Sequence, residues 1–377
     1  MKGKQGLVCM GLLLVLSSCH TGKQITASGL QRKDFQTEVN GQHTDLFTLS
    51  NKQGMEVCIT NYGARVVSIL VPDRNGKRED VVCGFSTITE YMEQRQNFGS
   101  TVGRYIGRIL NSRFTLDGVE YKLVPNNGKS GHISHGGNPG FADRIWKVEQ
   151  ADTHRVRLSY LSPDGENGFP GNLKVTLVYS LGEDDNALDL TYEATTDAPT
   201  VLNLSHHSFF NISGDFTKSV EDQQLWVDAD RFTPYDDKKC VTGEYLPVAG
   251  TPLDFRMPHT IGEYIDADYP QLKVVNGYDH TWELNTKGDD TRPAAWVYDP
   301  ASGRKMEIFT TEPGMQIYTG NGLKGKMTGK GGIAYPFRSA VCFETMHFQD
   351  SPNQPGFPST VLRPGEVFRS HTVYKFE

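Results

Sequence analysis

Between Arg155 and Thr196 the chain reads RVRLSYLSPDGENGFPGNLKVTLVYSLGEDDNALDLTYEATT. Apolar and polar residues alternate there in runs of strand length, and Asp-Gly, Asn-Gly and Pro-Gly pairs fall between the runs. Side chains at that period point to opposite faces of a strand, so each run presents one face to a core and one to solvent. The stretch LVYSLGEDDNALDLTYEA reads as a β-hairpin. MEVCITNYGARVVSILVPDRNGKRED and QLWVDADRFTPYD repeat the pattern, while helical periodicity is nearly absent. A chain of 377 residues can bury a sizeable core without disulfide staples. Neither a linker nor a fixed-period repeat divides it after Phe35. These features predict an all-β protein, one large antiparallel β-sandwich over residues 35–377. A formal net charge of −7 argues against a nucleic-acid partner, which leaves a basic footprint.

The N-terminus has a different character. MKGKQGLVCMGLLLVLSSC opens with Lys2 and Lys4, runs apolar to Leu16 and ends in small residues before Cys19. The apolar run is too short to span a bilayer comfortably and has the layout of a signal peptide. Its LSSC ending resembles a bacterial lipobox, which makes Cys19 the expected lipid anchor and residues 1–19 the signal. Residues 20–34 read as a polar tether. The expected setting is export, periplasmic or at the cell surface, with membrane attachment through the lipid alone. Cys58, Cys83, Cys240 and Cys342 are scattered without metal-ligand spacing, and read as buried thiols with a disulfide left open.

Six short stretches carry candidate chemistry. In VLNLSHHSFFNISG, residues 201–214, alternation puts Leu202, Leu204, His206, Ser208 and Phe210 on one face. Asn203, Ser205, His207 and Phe209 share the other with Val201. The first face is the more apolar, so His206 reads as a core or supporting residue. His207 lies on a polar face flanked by aromatics, as in the lining of a sugar cleft. In AVCFETMHF, Glu344 shares a face with Cys342, Met346 and Phe348, and such company raises a carboxylate's pKa toward that of a general base. TVGRYIGRILNSRF offers Arg104 and Arg108, either structural or, for Arg108, a forked donor to hydroxyls. SHGGNPGFADRIW carries His135 on a glycine-rich loop, and NGYDHTWEL carries Asp279 in what reads as a turn. PGMQIYTGN sets Gln316 and Tyr318 on one strand face. Metal spacing, a phosphate loop and a nucleophilic serine elbow are all missing from the sequence.

GRYIGRI, SHGG, GFADRIW, NLSHHSFFN, GYDHTWEL, EPGMQIYTGN and CFETMHFQDSPNQPGFPSTVLRPGE stand in the order found in the aldose 1-epimerases, or galactose mutarotases. The resemblance runs from about Phe35 to the C-terminus. It implies a large antiparallel sandwich holding a monosaccharide on its concave face, and anomer interconversion without metal, nucleotide or other cofactor. By that resemblance Glu344 is the base at the C1 hydroxyl, and His207 the acid at the ring oxygen. Arg108, His135, Asp279 and Gln316 match positions that hold sugar hydroxyls, and Gly107 adjoins them. The mechanism needs His207 protonated and Glu344 ionised, a state that mutual attraction across the sugar would favour.

Two residues depart from the family pattern. Gly107 stands where many members carry an Asn that touches the sugar, and Phe209 replaces a common Tyr. Three alternatives follow from the same residues. A non-catalytic carbohydrate-binding protein would not need both Glu344 and His207. A hexose-6-phosphate 1-epimerase would add arginines around the cleft. A two-carboxylate glycoside hydrolase would draw its second acid from Asp279.

Overall fold

The computed structural model describes residues 24–377. The proposed signal peptide and Cys19 lie outside the described residues. Two large antiparallel sheets are stacked on one another, and a four-stranded sheet flanks them. The larger has nine strands in the order Lys147–Ala151, Arg155–Ser162, Leu173–Leu181, Ala187–Thr196, Phe368–Phe376, Lys305–Thr310, Ala295–Tyr298, Gln224–Val227 and His259–Thr260. The predicted hairpin supplies its third and fourth strands: Leu173–Leu181 pairs with Ala187–Thr196 over nine consecutive positions. Burial along Leu173–Leu181 alternates strictly, as period two demands.

The six-stranded sheet runs Phe209–Phe210, Val341–Met346, Gly314–Tyr318, Asp279–Glu283, Arg231–Thr233 and Leu246–Pro247. Its inner face contributes Phe343, Ile317, Met315 and Trp282 to one continuous core, against Val175, Leu190, Val297 and Ile308 of the larger sheet. Every residue of Val341–Met346 is buried, because the core covers one face and loops close over the other. Burial alone therefore does not alternate along this strand, although its side chains still point to opposite faces.

The structure corrects three expectations. Residues 24–34 are not a free tether. Ile25 bridges Gln31, Thr26 and Leu30 are buried, and the Ala27 and Ser28 amides donate to Glu56. The Arg32 guanidinium meets the Asp45 carboxylate in a paired hydrogen bond. The packed domain therefore includes residues 24–34, ahead of Phe35. Second, residues 200–210 are not one strand. Thr200–Val201, Ser205–His207 and Phe209–Phe210 pair with three different partners, yet the alternation of faces survives. Third, Asp279 opens the strand Asp279–Glu283 and is no turn residue. The four cysteines of the described chain are buried free thiols.

On the outer face of the large sheet, His371 is held between two carboxylates, Asp290 at 2.7 Å from Nδ1 and Asp189 at 3.1 Å from Nε2. The Asp189 hydrogen bond, aided by Asp290 against partial burial, raises His371 to about 9. A folded-state pKa above the free value of 6.5 means the clamp stabilises fully below about pH 6.5 and is lost as pH rises through about 9. The unfolding free energy of wild type minus that of His371→Gln should follow that course in denaturant titrations. A gap constant from pH 6 to pH 10 would contradict the clamp.

Candidate active site

Strand pairing and loop closure bring residues from seven separate stretches around one cavity of about 230 Å³. Its lining includes all seven sugar-site candidates: Gly107, Arg108, His135, His207, Asp279, Gln316 and Glu344. Phe209, Tyr318 and Met346 supply its apolar wall. Wider grooves of about 680 and 660 Å³ lie beside Asp45 and beside Met257. Their charged side chains are tied up locally, Arg32 with Asp45 and Arg256 with Asp254, and neither groove gathers a comparable set.

The geometry starts from Glu344. It projects from the fully buried strand Val341–Met346, faces the cavity and is 3 % exposed. His207 Nε2 comes within 3.4 Å of its Oε1. The imidazole stacks on Phe209, with ring centroids 5.0 Å apart, and meets His135 edge-on at 5.5 Å. Its Nδ1 is buried without a hydrogen-bond partner among the described groups, so Nε2 is the atom aimed at the cavity. His206 points the other way, hydrogen-bonded to Ser208 and packed against Tyr179 and Tyr374 in the core. Burial pushes it down to about 3, which leaves it neutral.

His135 sits on the predicted loop with a left-handed backbone, φ 52°. The loop presses backbone to backbone on its neighbour: a Cβ on Gly136 would fall 2.0 Å from the Gly103 carbonyl oxygen, so only glycine fits. The Gly107 amide donates to His135 Nδ1 at 3.4 Å, which makes Nε2 the N–H donor. Burial, then the Arg108 charge, hold His135 down at about 4, so this donor is neutral. Gln316 donates to Asp279 at 2.7 Å and accepts from Thr281, which fixes its amide. Arg104, by contrast, is structural. Its buried guanidinium donates to the carbonyls of Ser162, Pro163, Pro170 and Gly171, anchoring the turn that carries Gly107 and Arg108.

A family model described as aldose 1-epimerase matches residues 45–375. The chain belongs to the aldose 1-epimerase family. It is 40 % identical over 331 residues to galactose mutarotase of Bos taurus, covering 88 % of this chain and 93 % of that one. It is 36 % identical over 339 residues to aldose 1-epimerase of Escherichia coli K12, covering 89 % and 96 %. Among solved structures, a GalM/aldose epimerase homologue from C. elegans superposes with a TM-score of 0.81 at 31 % identity, over 89 % of this chain and 99 % of that one. Galactose 1-epimerase of Lactobacillus acidophilus gives 0.78 at 28 %, over 90 % and 96 %.

The electrostatics of this epimerase's cavity run against the expected ion pair. Burial raises Glu344 well above the usual carboxylate range, and the neighbouring Asp279 raises it further. Burial lowers His207 well below an ordinary histidine, and His135 adds to that. Asp279 itself is raised by burial, against the opposing pull of Arg108 and Gln316. Desolvation penalises both charges, so burial pushes Glu344 toward the neutral acid and His207 toward the neutral imidazole. Cys342 adjoins the pair, and the ligand atoms of His207, Cys342 and Glu344 lie within 4.8 Å of one another. Those three could hold a metal ion that would compete with sugar for both groups. Sequence reasoning missed Gln349 and Asn97 in the lining, because both lie in loops where alternation places no side chain.

The pair titrates in two coupled steps, and the basic limb of a kcat/KM profile reports the loss of its last proton, which a raised Glu344 moves to higher pH. Asp279→Asn removes the charge that raises Glu344. The basic limb should move to lower pH, on the order of one unit for a close charge, when mutarotation is followed by polarimetry. A limb that stays in place would show that the Asp279 charge does not reach Glu344.

Proposed function

We propose that Glu344 and His207 carry the proton transfers by which this enzyme interconverts the α and β anomers of free aldoses. The observation that carries the reading is the 3.4 Å approach of the two groups in a cavity lined by Arg108, His135, Asp279 and Gln316. The Glu344 carboxylate takes the proton of the C1 hydroxyl while His207 Nε2–H gives one to the ring oxygen. The C1–O5 bond breaks and C1 becomes an aldehyde carbonyl. Rotation about C1–C2 exposes its other face, and reclosure returns both protons. Charge is conserved, no covalent intermediate forms and no cofactor enters the balance. Arg108 and the neutral His135 donate to sugar hydroxyls, while Asp279 accepts from them.

The cavity lining among the described residues holds one arginine, Arg108. That favours an unphosphorylated aldose of the glucose and galactose class over a hexose 6-phosphate. The adjacency of His207 and Glu344 favours a catalyst over a passive sugar binder.

A positioned acid or base supplies about 10²–10⁴ in rate. Glu344→Gln and His207→Asn should each lose that much of kcat in polarimetry on freshly dissolved α-glucose and α-galactose. Full activity in both variants would sink the assignment of roles, and a wild type inactive on every free aldose would sink the function.

We also propose that the enzyme is exported and anchored through lipidated Cys19, equilibrating sugars released outside the cytoplasm. The LSSC ending behind a short apolar run supports this. Labelled palmitate should be incorporated into wild type and not into Cys19→Ala, which should leave the membrane fraction. Equal labelling of both would refute the anchor.

A further inference from the structure

The cavity contains an amide that the acid–base scheme does not use. Gln349 is 5 % exposed, lines the sugar cavity and lies just beyond the end of the strand that carries Glu344. Its backbone is fixed on both sides. The Asn203 amide side chain clasps His347, and Tyr105 Oη donates to the Phe348 carbonyl. Beyond it the Asp350 amide donates to the Arg108 carbonyl, and Asp350 accepts from Leu110. Residues 105–110 and 347–351 are thus laced together, and Gln349 is held against Gly107 and Arg108.

The side chain occupies the space that a residue larger than glycine would claim at position 107. A Cβ built on Gly107 would stand 2.5 Å from Gln349 Cγ and 3.0 Å from Cδ, closer than carbon atoms tolerate. Gly107 has φ +75°, a conformation that Asn also adopts, so backbone strain alone does not demand glycine there. The steric demand comes from Gln349.

The amide is also oriented. Nε2 donates to Tyr235 Oη at 2.7 Å and to Gln316 Oε1 at 3.3 Å. Oε1 accepts only a long bond from the Arg108 amide, 3.3 Å, among the described donors. Gln316, in contrast, spends its whole amide inside the protein, donating to Asp279 and Tyr235 and accepting from Thr281 and Gln349. A carboxamide oxygen has two lone pairs, so Gln349 keeps one acceptor position in a cavity of hydroxyl-binding groups.

We propose that Gln349 contacts a sugar hydroxyl beside Arg108 and helps set which aldose is preferred, and that Gly107 is the vacancy that admits it. The inference rests on the reading of the cavity as an aldose site. Gly107 and Gln349 form one unit: the side chain absent from one position is supplied, as an amide, from the other.

The test uses glucose and galactose, which differ in one hydroxyl orientation, with wild type, Gln349→Met, Gln349→Ala, Gly107→Asn and the double variant Gly107→Asn/Gln349→Ala. Losing one hydrogen bond to an uncharged hydroxyl corresponds to roughly three- to tenfold. Gln349→Met keeps the packing at Gly107 but loses the acceptor. It should raise KM by that factor for at least one sugar, with kcat changed less, and shift the glucose-to-galactose ratio of kcat/KM. Gly107→Asn alone should lose more, because its Cβ meets Gln349. The double variant should recover activity relative to Gly107→Asn, since the new amide then has room. An unchanged sugar ratio in both Gln349 variants, or a double variant no better than Gly107→Asn, would overturn the proposal. A wild type without activity on either sugar would instead overturn the reading on which it rests.

Discussion

One strand is buried along its whole length with a carboxyl on it, and the chemistry of the site depends on that. The strand Val341–Met346 is covered on both sides. On its core side Thr345 hydrogen-bonds Thr372 at 2.7 Å and the Phe343 carbonyl accepts from Tyr374, both across to the nine-stranded sheet. On its other side stand Cys342, Glu344 and Met346. A slip of one residue would exchange Glu344 with Phe343 or Thr345, burying a carboxyl in the hydrocarbon core and ejecting an aromatic ring. The cost of either move fixes the register, and the register fixes where Glu344 points. The large sheet thus positions the carboxyl without touching it.

The rest of the cavity hangs on loops that are rigid because their polar groups are spent on backbone. Arg104 sits in its pocket as a point of attachment for four carbonyl oxygens, and the turn behind it presents Gly107 and Arg108. Buried backbone groups must find partners, and a guanidinium with five donors satisfies several at once. The same logic laces residues 105–110 to 347–351. Substrate-facing groups held this way meet a sugar without first paying to become ordered.

How much of this was legible in the sequence follows from the physics of each element. Strand alternation is a local property, so it separated His206 from His207 and placed Glu344 with Cys342 and Met346. It did so even though residues 200–210 form three short strands, because extended backbone keeps its period across the breaks. The family resemblance supplied Arg108, His135, Asp279 and Gln316, which no period links. Gln349 was invisible: Val341–Met346 ends three residues earlier, and a loop residue's direction is set by Tyr105, Arg108 and Asn203 far away in the chain. The packing of residues 24–34 was hidden for a similar reason. Their composition is polar, but Thr26, Leu30 and the Arg32–Asp45 pair find partners only once the domain exists. Attraction between Glu344 and His207 can be read from their types, whereas the desolvation that opposes both charges depends on how deeply the fold buries them.

That opposition bears on how the reaction is driven. In the proposed reaction, ring opening brings the proton of the C1 hydroxyl to Glu344 and sends the proton of His207 to the ring oxygen. The enzyme that faces the open-chain aldehyde therefore carries a neutral carboxylic acid and a neutral imidazole, the arrangement that burial and Asp279 favour. The cavity is electrostatically matched to the opened sugar, the high-energy species between the two anomers, and poorly matched to the charged pair that must precede it. In this scheme the free energy for that charging comes from bound sugar: the C1 hydroxyl donating to Glu344, the ring oxygen accepting from His207, and the remaining hydroxyls held by Arg108, His135 and Asp279. Hydroxyl contacts remote from C1 then serve the chemical step as well as binding, so a sugar that forms them badly is penalised in kcat as well as in KM.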